Sequence, residues 1–102
     1  MIVQTEAHDF EADVQLLQAV EQRVSRLKFF FHHIIEVRVI LKSENLGFTK
    51  ERIVEVTIYV PNGIIFSKES GNSFEEALSR VVFTLKFELL RYKAKRISYG
   101  LV

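Results

Sequence analysis

Histidines, paired acids and cations are the side chains of this chain with the means to do chemistry. His8, His32 and His33 are its three imidazoles. The last two are neighbours in sequence and point in different directions, so they cannot offer two nitrogens to one metal as residues four apart on a helix do. All three read as surface or helix-capping histidines. Glu75 and Glu76 fall in the first turn of an expected helix, where negative charge complements the macrodipole without a catalytic role. There is no glycine-rich phosphate loop, nucleophile elbow, dinucleotide fingerprint or calcium loop. The absence of cysteine removes thiolate catalysis, disulfides and cysteine-ligated zinc together. No enzymatic activity, cofactor, metal or small-molecule substrate is expected.

Cations are the remaining candidates, and their placement is uneven. Residues 1–76 carry 8 basic and 12 acidic side chains, a balance of −4, whereas residues 77–102 carry 6 and 1, a balance of +5. The overall charge of +1 conceals this segregation, which makes one end of the chain a plausible footprint for a polyanion. Arg23, Arg26, Arg80, Lys86, Arg91, Lys93, Lys95 and Arg96 would converge if the two helices that carry them lie side by side. A layer of this kind contacts phosphates without reading bases, and its binding is salt-dependent. A simpler account needs no partner: cations are favoured at the C-terminal end of a helix dipole.

The element that must position most of these cations runs from Ser73 to Arg96. Ser73 and Glu76 have the spacing of a capping box, in which the hydroxyl takes a backbone N–H and the glutamate reaches back to the serine amide. At 100° per residue Phe74, Leu78, Val81, Leu85, Leu89 and Tyr92 share one core-facing stripe, with Ala77 and Val82 at its margins. Phe83, Phe87 and Leu90 form a second apolar strip on the far side. Arg80 and Arg91 flank it on one side and Lys86 on the other.

Earlier in the chain, residues 2–8 suit a first strand. Asp13 is a good N-cap for a helix from about 13 to 31, with Leu16, Val20, Val24, Leu27 and Phe31 inward, Leu17 beside them, and Phe29 facing solvent. Residues 35–43 alternate as a half-buried strand with Ile35, Val37, Val39 and Leu41 on one face, and residues 52–60 alternate with Val54, Val56, Ile58 and Val60 inward. Polar residues 43–51 are expected to be a hairpin loop, Pro61-Asn62-Gly63 a tight turn, and residues 64–69 a last strand. The order strand, helix, three strands, helix predicts an α+β fold: a four-stranded, mainly antiparallel sheet with both helices packed on one face.

A chain of 102 residues with 48% apolar side chains suits one folded domain, placed at residues 1–96, with 97–102 as a loosely held tail. No apolar run approaches the roughly 18 residues needed to span a bilayer, and the N-terminus lacks the layout of a signal peptide. A cytoplasmic protein without membrane contact is expected.

Several segments, taken in order, resemble the ribosome hibernation promoting factors, also called ribosome-associated inhibitors or sigma-54 modulation proteins. They are Val-Gln-Thr at residues 3–5 with Phe10-Glu11-Ala12-Asp13, Arg23-Val24-Ser25-Arg26-Leu27, Phe30-Phe31-His32-His33-Ile34-Ile35, and Leu41-Lys42-Ser43-Glu44-Asn45. Further on come Val60-Pro61-Asn62, Phe66-Ser67-Lys68, Ser73-Phe74-Glu75-Glu76-Ala77 and Arg91-Tyr92-Lys93-Ala94-Lys95. The resemblance covers residues 1 to about 96. It implies a β-α-β-β-β-α fold related to double-stranded-RNA-binding domains, and binding to the small ribosomal subunit in the channel used by messenger and transfer RNA, which keeps idle ribosomes silent. Longer members add a dimerising domain, so this chain is similar to the short form.

The resemblance also implies RNA-contacting roles for Arg23 and Arg26 on the first helix and for Arg80, Arg91, Lys93 and Lys95 on the second. The sequence departs from the family pattern at four places. Thr84 and Phe87 stand where a lysine and an arginine are usual, and Phe29 and Phe83 where a charged or polar residue is usual. The loss of two phosphate contacts is expected to weaken binding about tenfold or more. The alternative is a diverged paralogue with weak or no ribosome binding, in which Phe29, Phe83, Phe87 and Leu90 form a protein-binding or self-association surface that would allow a homodimer.

Overall fold

The computed structural model describes residues 1–98, with side chains through Lys95. The elements are β1 (Ile2–His8), α1 (Val14–Ser25), a 3-10 turn (Arg26–Phe29), β2 (Glu36–Leu46), β3 (Thr49–Val60), β4 (Gly63–Gly71) and α2 (Phe74–Ser98). The sheet order is β1-β2-β3-β4. β1 pairs in parallel with β2, and the other two pairings are antiparallel. This is the expected β-α-β-β-β-α arrangement. α2 continues through Ser98, while residues 99–102, most of the expected tail, lie outside the described residues.

Period-two alternation in the strands and the 3.6-residue stripes of the helices meet in one apolar cluster. Val37, Val39 and Leu41 of β2 and Val54, Val56, Ile58 and Val60 of β3 pack with Val20, Val24 and Leu27 beneath α1 and with Ala77, Leu78, Val81, Leu85 and Leu89 of α2. A sheet covered on one face and wet on the other requires this alternation. Tyr92 closes the far end of the core: its hydroxyl donates to the Pro61 carbonyl at 2.6 Å, and its ring meets Phe31 edge-on at 5.4 Å.

Capping is partly as expected. The Asp13 carboxylate accepts from the Leu16 amide at 2.8 Å. Replacing Asp13 with alanine orphans that donor and should destabilise the fold by about 1 kcal/mol, read as a lower midpoint in urea at unchanged slope. At the second helix Ser73 Oγ accepts from the Glu76 amide at 3.1 Å. Glu76 does not complete the box, because its carboxylate is drawn to Arg80 at 2.9 Å, one turn ahead.

Three boundaries differ from the sequence expectation. The first helix gives way to a 3-10 turn after Ser25, and the aromatic run that follows contains residues whose side chains lose rotamer freedom in a helix. Leu27 and Phe31 stay buried across the change: Leu27 is three residues after Val24, a spacing that shares a face in either geometry, and Phe31 lies beyond the turn. Ile35 is exposed and Ile34 takes the core position; Ile35 instead donates its amide to the Tyr59 carbonyl at 2.8 Å, one residue before β2 starts.

The third difference is the largest. Residues 43–51 are ladder rather than loop: β2 and β3 pair down to Leu46 and Thr49, leaving only Gly47 and Phe48 as the turn. Gly47 has φ +64°, where a side chain is disfavoured, and Thr49 Oγ1 donates to the Leu46 carbonyl at 3.0 Å. Both faces of this hairpin end are wet, so no hydrophobic alternation marks it. Side chains brace it instead: Lys42 pairs with Glu55 at 2.7 Å, and Arg52 donates to Ser43 Oγ at 3.2 Å. The hydrogen bond that Lys42 donates to Glu55, with the charge of that carboxylate, raises the pKa of the Lys42 ammonium above its ordinary value.

Candidate nucleic-acid interface

The two helices lie against each other over the sheet, and the cations named above are distributed across that layer. Arg23 in α1 is half-buried and donates through Nη2 to Ser79 Oγ of α2 at 3.2 Å. It is a tie between helices first and a surface cation second. Arg26 is exposed at the start of the 3-10 turn.

On α2 the cations fall into two kinds. Arg80 is committed to the protein: Nη1 donates to the Ser70 carbonyl at 2.7 Å and Nη2 pairs with Glu76. It therefore locks the end of β4 to the first turns of α2, with part of its guanidinium still facing solvent. Lys86 is half-buried with Nζ 5.2 Å from the Phe30 ring centroid and 5.8 Å from that of Phe87, so its charge rests on aromatic faces that attract it. Arg91 keeps a loose pair with Glu88 at 3.3 Å on an exposed surface. A pair of this type is worth little and yields readily to a better anion. Lys93 and Lys95 are exposed and have no ion-pair partner among the described residues. Arg96 continues the helix, but its side chain lies outside the described residues.

Phe83, Phe87 and Leu90 crown α2 on the side opposite the core, 65%, 49% and 40% exposed. The two rings meet edge to face at 5.0 Å. Phe29, on the 3-10 turn, is 69% exposed, with Lys28 Nζ 5.7 Å from its centroid. The strip seen in the helical projection is thus a true surface feature, and Thr84 sits half-buried beside it.

Sequence inspection missed the roles of Ser79, Phe30 and Lys28. Ser79 and Phe30 receive Arg23 and Lys86 across the helix pair, contacts that join residues about 56 apart in the chain. Only Lys28, next to Phe29, had a local signal. Among the described residues no cluster of three or more histidine, aspartate or glutamate side chains is placed to hold a metal. No described helix is long and apolar enough to cross a membrane.

This fold, two helices on a four-stranded sheet, has counterparts in known proteins. Residues 3–97 match the sequence model of the family described as sigma 54 modulation protein / S30EA ribosomal protein. A ribosome hibernation promoting factor from Azotobacter vinelandii is 28% identical over 98 residues, spanning 96% of this chain and 88% of that protein. A ribosomal subunit interface protein from Coxiella burnetii superimposes with a TM-score of 0.81 at 17% identity, covering 92% of this chain and 99% of that one. The N-terminal domain of Protein Y from Thermus thermophilus does so with 0.73 at 20% identity, covering 89% and 93%. At those identities the two structures speak for the fold. With residues 3–97 of its 102 matched by the family model, the chain belongs to the sigma 54 modulation protein / S30EA ribosomal protein family.

Proposed function

We propose that this chain is a ribosome-associated hibernation factor of the cytoplasm that binds RNA of the small ribosomal subunit through its helical layer and does no covalent chemistry. The observation that carries this reading is the outer end of α2, where Arg91, Lys93 and Lys95 are exposed and none is held by a strong internal ion pair. Arg26 and Lys86 extend the same positive layer towards α1. Residues 1–96 serve as the binding domain. The family membership and the relative from Azotobacter vinelandii, named as a ribosome hibernation promoting factor, support the choice of partner.

A contact made by lysine and arginine with phosphates releases counterions, so affinity falls steeply with salt and depends on RNA shape more than on sequence. The test is co-sedimentation of the purified chain with isolated small subunits at low and at moderate salt. Binding at low salt that weakens on salt addition is expected. Absence from the subunit pellet at both salts overturns the reading.

A further inference from the structure

Aromatic rings on the outward crest of a helix are costly to leave in water, and here they stand between two rows of cations. Lys86 and Lys93 lie on the side of α2 towards α1, and Arg80 and Arg91 on the side towards β4. Beside Phe83 is a shallow recess of about 430 Å³ lined by Glu69, Ser79, Arg80 and Thr84, whose carboxylate and hydroxyls can meet the polar edge of a ring. We propose that Phe83 and Phe87 are a stacking platform for unpaired RNA bases, with the flanking cations taking the phosphates on either side. This deepens the functional reading above and rests on it. It also names the target: single-stranded loop or end nucleotides, since bases inside a duplex present no free face to an aromatic ring.

Charge and area favour bases over a second copy of this chain. Two copies meeting crest to crest would bring Arg80, Lys86, Arg91 and Lys93 against their own equivalents, and the like-charge contact opposes association. At the observed exposures Phe83, Phe87 and Leu90 offer about 300 Å² of apolar surface, so a second copy would have to draw much of the roughly 800 Å² per partner of a standard stable interface from the flanking cations. A nucleotide, by contrast, covers one ring face with its base and brings the negative charge of its phosphate to the lysines. Lys86, already poised over the Phe87 ring, would then lie beside a stacked base as well as a phosphate.

The test compares the full chain with Phe83→Leu/Phe87→Leu, which keeps the apolar surface and removes the rings. Both sites are exposed, so folding should be retained, and circular dichroism checks it. Fluorescence anisotropy would measure binding to a labelled single-stranded oligoadenylate of about 12 nucleotides and to an RNA duplex of equal length. The expected result is about tenfold weaker binding of the single strand, with the duplex changed by less than about twofold and the salt dependence unaltered. Because the chain has no tryptophan, Phe87→Trp provides a single reporter, and its emission should be quenched by oligoadenylate. Unchanged single-strand affinity without quenching, in a protein that still co-sediments with small subunits, overturns the platform and leaves the ribosomal reading standing. Binding of the wild type to neither subunits nor oligoadenylate overturns both. Light scattering that finds a wild-type dimer, retained in the leucine variant and lost in Phe83→Ser/Phe87→Ser, assigns the strip to self-association and overturns the platform.

Discussion

Arg91→Glu/Lys93→Glu should bind small subunits about a hundredfold more weakly than the wild type at 0.1 M salt, with a shallower dependence of affinity on salt. Each phosphate contact made by a cation contributes a factor of about 8 at that salt relative to 1 M, so two lost contacts give roughly 60, and reversed charges add repulsion. The slope of log affinity against log salt should drop by about 2. The fold should be indifferent: Arg91 has only the exposed pair with Glu88, Lys93 has none, and surface changes of this kind stay within about 0.5 kcal/mol. Equal affinity and equal slope in the variant would mean that the end of α2 does not touch RNA. A pulldown at one salt concentration would not separate these outcomes; a titration series would.

The largest effect on stability is expected at Leu85. It is fully buried and central among the α2 residues that reach the sheet. Leu85→Ala should cost about 3 kcal/mol through lost burial and the cavity left behind. For a domain of this size that lowers the thermal midpoint by about 15 °C. Thr84→Ala, one residue away and facing the layer surface, should shift it by only a few degrees. A midpoint drop for Leu85→Ala as small as that for Thr84→Ala would show that the core collapses around the site instead of keeping a cavity. Scanning calorimetry on the two variants side by side distinguishes the cases.

What the sequence discloses here follows burial. The stripe Phe74, Leu78, Val81, Leu85, Leu89, Tyr92 is readable because every member meets the same core, and Asp13 is readable because a cap acts within three residues. The hairpin end at 43–51 is not readable, since its two strands satisfy each other's backbone in water and neither face needs apolar side chains. Ile35 shows the limit of alternation: it keeps the parity of Val37 and Val39, but the strand starts after it and Ile34 fills the core. Ile53 shows the converse, since it belongs to the outward row and is nevertheless buried.

The candidate site divides in the same way. Exposed cations at 91, 93 and 95 are where the helical projection puts them, and so is the aromatic crest. Arg80 looks equivalent in the projection but spends its guanidinium on Ser70 and Glu76. Its partner carbonyl lies ten residues back on another element, a relation only the folded backbone creates. The position at which Phe87 replaces an expected cation also changes meaning once the crest is seen: the surface there is aromatic rather than merely less charged.

The hydrogen bond from Tyr92 to Pro61 fixes where α2 leaves the body of the protein. Lys93, Ala94 and Lys95 beyond it are all exposed, so no side of the helix is shielded there, and the segment to Ser98 extends about 9 Å further. The end of α2 is a cantilever. The ammonium groups of Lys93 and Lys95 stand in high dielectric, exposed beyond the low-dielectric core. On the proposed reading, charge carried in this way would meet an approaching polyanion first and orient the encounter before the broader helical layer closes on it.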